Sequence, residues 1–191
     1  MPYVDRFKTP IIRRRVRILR PKEYQALLRC CTKRHHRTML QALLYTGMRY
    51  IELQRLQEYP SWFDGDFINL PRLADRKVMR TQPERTVRLN QTGKTIIEYF
   101  LDQNEDLPAY QNWRDNMRRW GERAGLNPQG LGVKTTRKTL ESWLMYYYGQ
   151  NRMAEIALSQ GHDTLTSLNH YLNMPFTEVD KLEMKPMIEG W

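Results

Sequence analysis

The chain has 191 residues, 40% of them hydrophobic and 11% aromatic, which is enough for a single domain with a buried core. No window reaches the roughly 18 consecutive apolar residues of a membrane span. The basic start, Met1 to Arg15, lacks the apolar stretch of a secretory signal. The formal net charge is +10, and residues 1–40 hold all of it: twelve Lys and Arg stand there against Asp5 and Glu23, while residues 41–191 are balanced.

In chain order, residues 1–20, punctuated by Pro2 and Pro10, read as an extended basic arm or linker, and residues 21–191 as one domain. Pro21 suits the first turn of a helix, and Tyr24, Leu27, Leu28 and Cys31 then give it one apolar face. A second helix carries Met39, Leu40, Leu43 and Leu44 and stops at Gly47. Arg49 follows at the start of a short helix through Arg55, closed by Pro60. Trp62-Phe63, a turn at Asp64-Gly65 and Phe67-Ile68-Asn69-Leu70 predict a hairpin, with Thr86-Val87-Arg88-Leu89 as a third strand. A polar, basic connection from Asp75 to Glu84 precedes that third strand.

The rest reads as helical, over roughly 93–102, 113–124 and from Thr135 or Thr136 through Tyr148. Asn151 and Asp163 are candidate N-caps for two more helices, and Thr177 with Asp180 forms a capping-box pattern for a last one, about 177–188. The expected class is mostly α with a small three-stranded antiparallel sheet. Cys30 and Cys31 are adjacent, poor geometry for a disulfide, which fits a reducing cytoplasm.

Basic charge concentrated on a neutral globule is a footprint for a polyanion, although charge alone fits a solvated tail or a membrane-surface patch equally well. Four short segments decide between these: Thr46-Gly47-Met48-Arg49, the basic connection around Lys77, Lys134-Thr135-Thr136-Arg137, and Gly161-His162 with Tyr171 nine positions later. Taken singly each has a plain structural reading. Arg49 with Glu52 at i+3 is a surface ion pair, and Tyr171 shares a helical face with Leu165 and Leu168. Together they supply cations for a phosphodiester and a phenol that can attack it.

In this order the residues resemble the catalytic domain of the tyrosine recombinase (phage-type integrase) family. The likeness spans about Pro21 to Phe176 and rests on Leu43 through Leu53 and on Lys134 through Tyr171. The resemblance implies Arg49 and Arg137 as paired catalytic arginines, His162 as the histidine of the GH motif and Tyr171 as nucleophile. It also implies a catalytic lysine in a hairpin turn, for which Lys77 is the candidate and Arg80 the alternative. The chemistry suits the residues. Arginine's planar fork binds two phosphate oxygens and stays charged. Nearby cations favour the phenolate of a tyrosine whose ordinary pKa is about 10. A lysine can protonate the leaving alkoxide.

Two departures from the family pattern stand out. Lys134 occupies the position of the usual histidine, so the HxxR box reads KxxR, as in some archaeal virus integrases. No DNA-clamping helical domain precedes Pro21, so the chain reads as an isolated catalytic half. The cluster Arg13, Arg14, Arg15 and Arg17 is then expected along DNA phosphates, giving salt-sensitive and sequence-blind affinity.

No metal or other cofactor is expected, since clustered carboxylates and a P-loop are both missing from the sequence. The expected partners are double-stranded DNA and further copies of the chain on it, with no membrane or small-molecule substrate. The C-terminal stripe Val179, Leu182, Met184 and Met187 fits either a helix folded on its own core or one exchanged between protomers. The competing functions are a DNA-binding regulatory fragment that does not cleave, and a type IB topoisomerase.

Overall fold

The computed structural model describes residues 9–74, 81–82, 84–103, 105–161 and 174–191. Among these the architecture is mostly helical, with three two-stranded antiparallel pairs.

Residues 11–19 of the segment read as an arm are folded into the domain. Strands β1 (Ile11–Arg13) and β2 (Val16–Ile18) form a hairpin, and Ile11, Ile18 and Leu19 are buried. The Leu19 backbone N–H donates to Thr139 Oγ1 at 3.0 Å, and the Trp143 indole N–H donates to the Leu19 carbonyl at 2.8 Å. Arg17 N–H donates to the Gly130 carbonyl at 2.9 Å. Gly130 has φ +76°, and a Cβ there would lie 2.8 Å from the Arg17 nitrogen, so no larger residue fits.

Helix α1 (Pro21–Cys30) starts on its proline as expected. Helix α2 (Arg34–Thr46) buries Met39, Leu40, Leu43 and Leu44 and ends at Gly47 in the left-handed region, φ +60°. Helix α3 (Tyr50–Glu58) begins directly after Arg49.

The sheet differs from the expected three strands. Pro60–Trp62 is a 3₁₀ turn, which leaves only a single bridge between Phe63 and Ile68 where the first hairpin was expected. Strand β3 (Phe67–Leu70) pairs instead with β6 (Arg85–Arg88), and β4 (Leu73–Ala74) pairs with β5 (Thr81–Gln82). Both pairs keep one register, Leu70 opposite Arg85 and Leu73 opposite Gln82. They are therefore two parts of one long hairpin, interrupted beside Pro71, which has no N–H for the ladder. The sequence shows the polar stretch but hides the short strands inside it.

Helices α4 (Gln91–Gln103) and α5 (Tyr110–Arg123) follow. Helix α6 (Thr135–Tyr148) is buried nearly all round at its N-terminal end and forms the centre of the domain. It contacts α2, β2, α7 (Met153–Gln160) and the last helix, α8 (Glu178–Ile188). The predicted capping box is present: Asp180 N–H donates to Thr177 Oγ1 at 3.2 Å, and Thr177 N–H to Asp180 Oδ2 at 2.7 Å. Helix α8 lies on its own domain, burying Met184, Met187 and Ile188, with Asp180 paired to Arg20. No helix among the described residues is long and apolar enough to cross a membrane.

Candidate active site

The site is built where the end of α2, the start of α3 and the start of α6 meet. Arg49 is the N-cap of α3, and Lys134 is the N-cap of α6 with Arg137 one turn on. All three line one cleft with Tyr110, Lys138 and Glu141. Two motifs nearly ninety residues apart in sequence thus face the same space.

Arg137 is buried, with 7% of its surface exposed. Its Nη1 donates to the Gly47 carbonyl at 2.7 Å and its Nη2 to the Gln160 carbonyl. Burial lowers its pKa to about 10, with the Arg85 and Arg49 charges acting in the same direction and Glu52 opposing them. It remains a cation at neutral pH.

Arg49 is held from behind. Its backbone N–H donates to Glu52 Oε2 at 2.7 Å and its Nη1 to Glu52 Oε1 at 2.8 Å, while 40% of the side chain stays exposed to the cleft. Glu52 is 1% exposed, so this is no surface pair. The same carboxylate accepts both Arg85 Nη1, at 2.9 Å, and Arg85 Nη2, at 2.7 Å. Burial alone would raise the Glu52 pKa, but the Arg85 and Arg49 hydrogen bonds and charges outweigh it and bring it to about 2. Arg85 Nε donates in turn to the Ser159 carbonyl at 3.0 Å, so the β6 arginine ties α3 to α7.

Sequence reading missed Arg85, Glu141 and Lys138. A signal existed for two of them. Arg85 shares the inward face of β6 with Val87, where a charged residue needs a buried partner. Lys138 lies four residues after Lys134, on the same helical face. Its pKa is lowered, first by burial and then by the Arg14, Arg137 and Lys134 charges, against Glu141.

Of the expected site residues, the structure brings together Arg49, Lys134 and Arg137. Lys77, Arg80, His162 and Tyr171 lie outside the described residues. Arg13, Arg14 and Arg15 are exposed at the tip of the β1–β2 hairpin. Arg17 corrects its expectation: it is fully buried, donating Nη1 to the Asn127 carbonyl at 2.8 Å and pairing with Glu23. Val16 beside it is half-buried and Ile18 is buried as well, so the whole strand is packed into the domain and the guanidinium is carried by Glu23 and the Asn127 carbonyl. Among the described residues no cluster of three or more His, Cys, Asp and Glu is placed to hold a metal ion.

No protein-family model matches the sequence, and no curated protein does so either. Solved structures share the fold. The Tn1549 transposon integrase, in complex with circular intermediate DNA, superposes with a TM-score of 0.65 over 96% of this chain and 67% of that one, at 17% identity. XerA recombinase gives a TM-score of 0.61 over 90% and 65% at 17% identity. XerH site-specific recombinase, bound to palindromic difH substrate, gives 0.52 over 88% and 51% at 17% identity. The chain thus spans between half and two thirds of the length of these neighbours. The fold is that of the tyrosine recombinase catalytic domain.

Proposed function

We propose that this chain is the catalytic domain of a site-specific DNA recombinase or integrase of a mobile element. It would break and rejoin duplex DNA through a 3′-phosphotyrosine without a metal or other cofactor. The observation that carries the reading is the convergence of Arg49 and Arg137 on one cleft lined also by Lys134 and Lys138. Four cations around one acidic group form a site for a phosphodiester's charge.

Phosphoryl transfer of this kind is mostly positioning and charge stabilisation. Arg49, exposed to the cleft and braced by Glu52, holds non-bridging oxygens. Arg137 adds its charge from below and fixes the two turns beside the site. Tyr171 attacks phosphorus as a phenolate; the new P–O bond to tyrosine forms as the bond to the 5′ oxygen breaks. Lys77, or Arg80 in its place, gives the leaving alkoxide its proton, and His162 supports the charge on the transferred phosphoryl. Lys134 keeps the electrostatic part of the histidine it replaces. Because the phosphotyrosine retains the energy of the phosphodiester, a 5′ hydroxyl can reverse the step. Several copies on paired sites would exchange strands, acting on DNA in the cytoplasm of the element's host, and Arg13, Arg14 and Arg15 would lie along phosphates.

The test is a nicked suicide DNA substrate incubated with the wild type and with Tyr171→Phe. A denaturant-resistant protein–DNA adduct is expected from the wild type alone. No adduct from either defeats the enzyme reading and leaves a non-cleaving DNA-binding module; equal adduct from both moves the nucleophile elsewhere.

A further inference from the structure

The β1–β2 hairpin closes with a two-residue loop in which Arg14 has φ +47° and Arg15 φ +64°. These are the only non-glycine residues with positive φ among those described. A two-residue hairpin loop of this shape strongly favours Asn-Gly, because side chains with a Cβ are strained there. The conformation persists because its surroundings over-determine it: Ile11 and Ile18 are buried below, Arg17 is locked to Glu23, and Arg17 N–H is bonded to Gly130. Strain of this kind, kept at an exposed position, points to a use for the side chains.

The turn is also aligned with the cleft. A shallow concavity beside the site is lined by Arg15, Tyr110, Arg114, Gly130 and Lys134, and so shares Tyr110 and Lys134 with the cleft itself. Arg114 passes the path on to a second concavity with Arg118, Asn127 and Gly130. Arg114 and Arg118 are exposed one turn apart on α5. Among the described residues the acidic partner on this path is Asp115 on Arg114, a long 3.4 Å pair with both side chains about half exposed, which is too weak to neutralise it. Arg14 is near enough to Lys138 for its charge to be felt there.

We propose that Arg14, Arg15, Arg114 and Arg118 form a non-catalytic phosphate rail that carries one flank of the DNA duplex away from the cleft, and that the strained Arg14-Arg15 turn is retained for that contact. The inference rests on DNA being the partner, as proposed above. It adds two α5 arginines that the motifs do not contain, and it gives the duplex a direction across the domain.

The test compares the full-length wild type with Arg14→Asn/Arg15→Gly and with Arg114→Gln/Arg118→Gln, measuring thermal stability and the salt dependence of affinity for a random-sequence duplex. Asn-Gly in the turn should raise Tm by a few degrees while lowering the slope of log K against log salt by about 1.8, the value for two lost phosphate contacts. The α5 pair should lower the slope by a similar amount with Tm unmoved. Slopes unchanged in both variants overturn the rail, and a Tm that stays level or falls in the Asn-Gly variant overturns the strain. A wild type that binds no duplex at all overturns the rail and the proposed function together, whereas a wild type that binds with variant-independent slope sinks the rail alone.

Discussion

The Arg137 guanidinium reaches across 90 positions of sequence to the Gly47 carbonyl at 2.7 Å. Its other nitrogen, Nη2, holds the Gln160 carbonyl. Gly47 stands two residues before Arg49 and Gln160 two before His162, so one buried side chain sets the spacing of both turns. Arg137→Lys keeps the charge but cannot span both carbonyls. Adduct formation on the suicide substrate should fall about 100-fold. Arg137→Ala should in addition cost about 3 kcal/mol in urea denaturation, since two carbonyls lose a charged donor.

Glu52 binds two arginines at once, and its removal should be felt in both stability and pH response. Its carboxyl titrates near 2 rather than at the ordinary 4.5. A depressed acid contributes stability that is fully present above about pH 4.5 and is lost as pH falls toward 2. Wild-type Tm should therefore drop steeply between about pH 4.5 and 2, and Glu52→Gln should show a shallower drop from a lower starting point. At neutral pH, Glu52→Gln should be destabilised by about 3 kcal/mol, because Arg85 is left buried with a neutral partner. Parallel pH profiles for the two proteins would show that Glu52 is not the group responsible.

What the sequence discloses about this site divides along local and long-range physics. The Gly47 helix stop and the Thr177–Asp180 box depend on residues three or four apart, and both are found where the pattern put them. The β1–β2 hairpin was illegible because Arg14-Arg15 carries none of the usual turn chemistry. The burial of Arg17 and Arg20 was hidden for another reason: a run of basic residues reads as a solvated arm unless Glu23 and the distant Asp180 are known to meet it. Likewise strand alternation calls for a buried partner for Arg85, but only the fold identifies it as Glu52, 33 residues away.

The two kinds of arginine in that basic run should separate experimentally. Arg17 is buried against Glu23 and Asn127, whereas Arg13 is exposed on the hairpin. Arg17→Met should cost about 3 kcal/mol in stability by stranding the Glu23 charge, with the salt slope of DNA affinity unaltered. Arg13→Gln should do the reverse, lowering the slope by about 0.9 with little change in Tm. Denaturation curves and fluorescence anisotropy titrations on the same preparations measure both.

Lys134 offers a test of the KxxR box. It lies exposed at the mouth of the cleft, one turn before Arg137. Lys134→His places an imidazole there, whose charge changes near pH 6.5. The rate of adduct formation should acquire an additional pH-dependent component with a midpoint around that value, beyond the profile of the wild type. A rate profile identical to wild type between pH 5.5 and about 8 would mean that position 134 contributes neither charge nor proton to the rate-limiting step.

The last helix can be tested for which face matters to the isolated chain. Met184 is fully buried against the domain, while Leu182 is 72% exposed only two residues away. The Tyr148 hydroxyl donates to the Ile188 carbonyl at 2.9 Å, and Arg152 Nη1 to the Trp191 carbonyl at 2.5 Å, so the end of α8 is fastened to the body that carries it. Met184→Ala should therefore cost about 2–4 kcal/mol through lost burial and the cavity left behind. Leu182→Ala should change stability by less than about 0.5 kcal/mol, because that side chain is 72% exposed. Equal losses from both would mean that α8 buries Leu182 in solution, against a surface other than the one it rests on here. A negligible loss from Met184→Ala would mean that the helix spends most of its time away from its own domain, and the Arg20–Asp180 pair would then be broken with it.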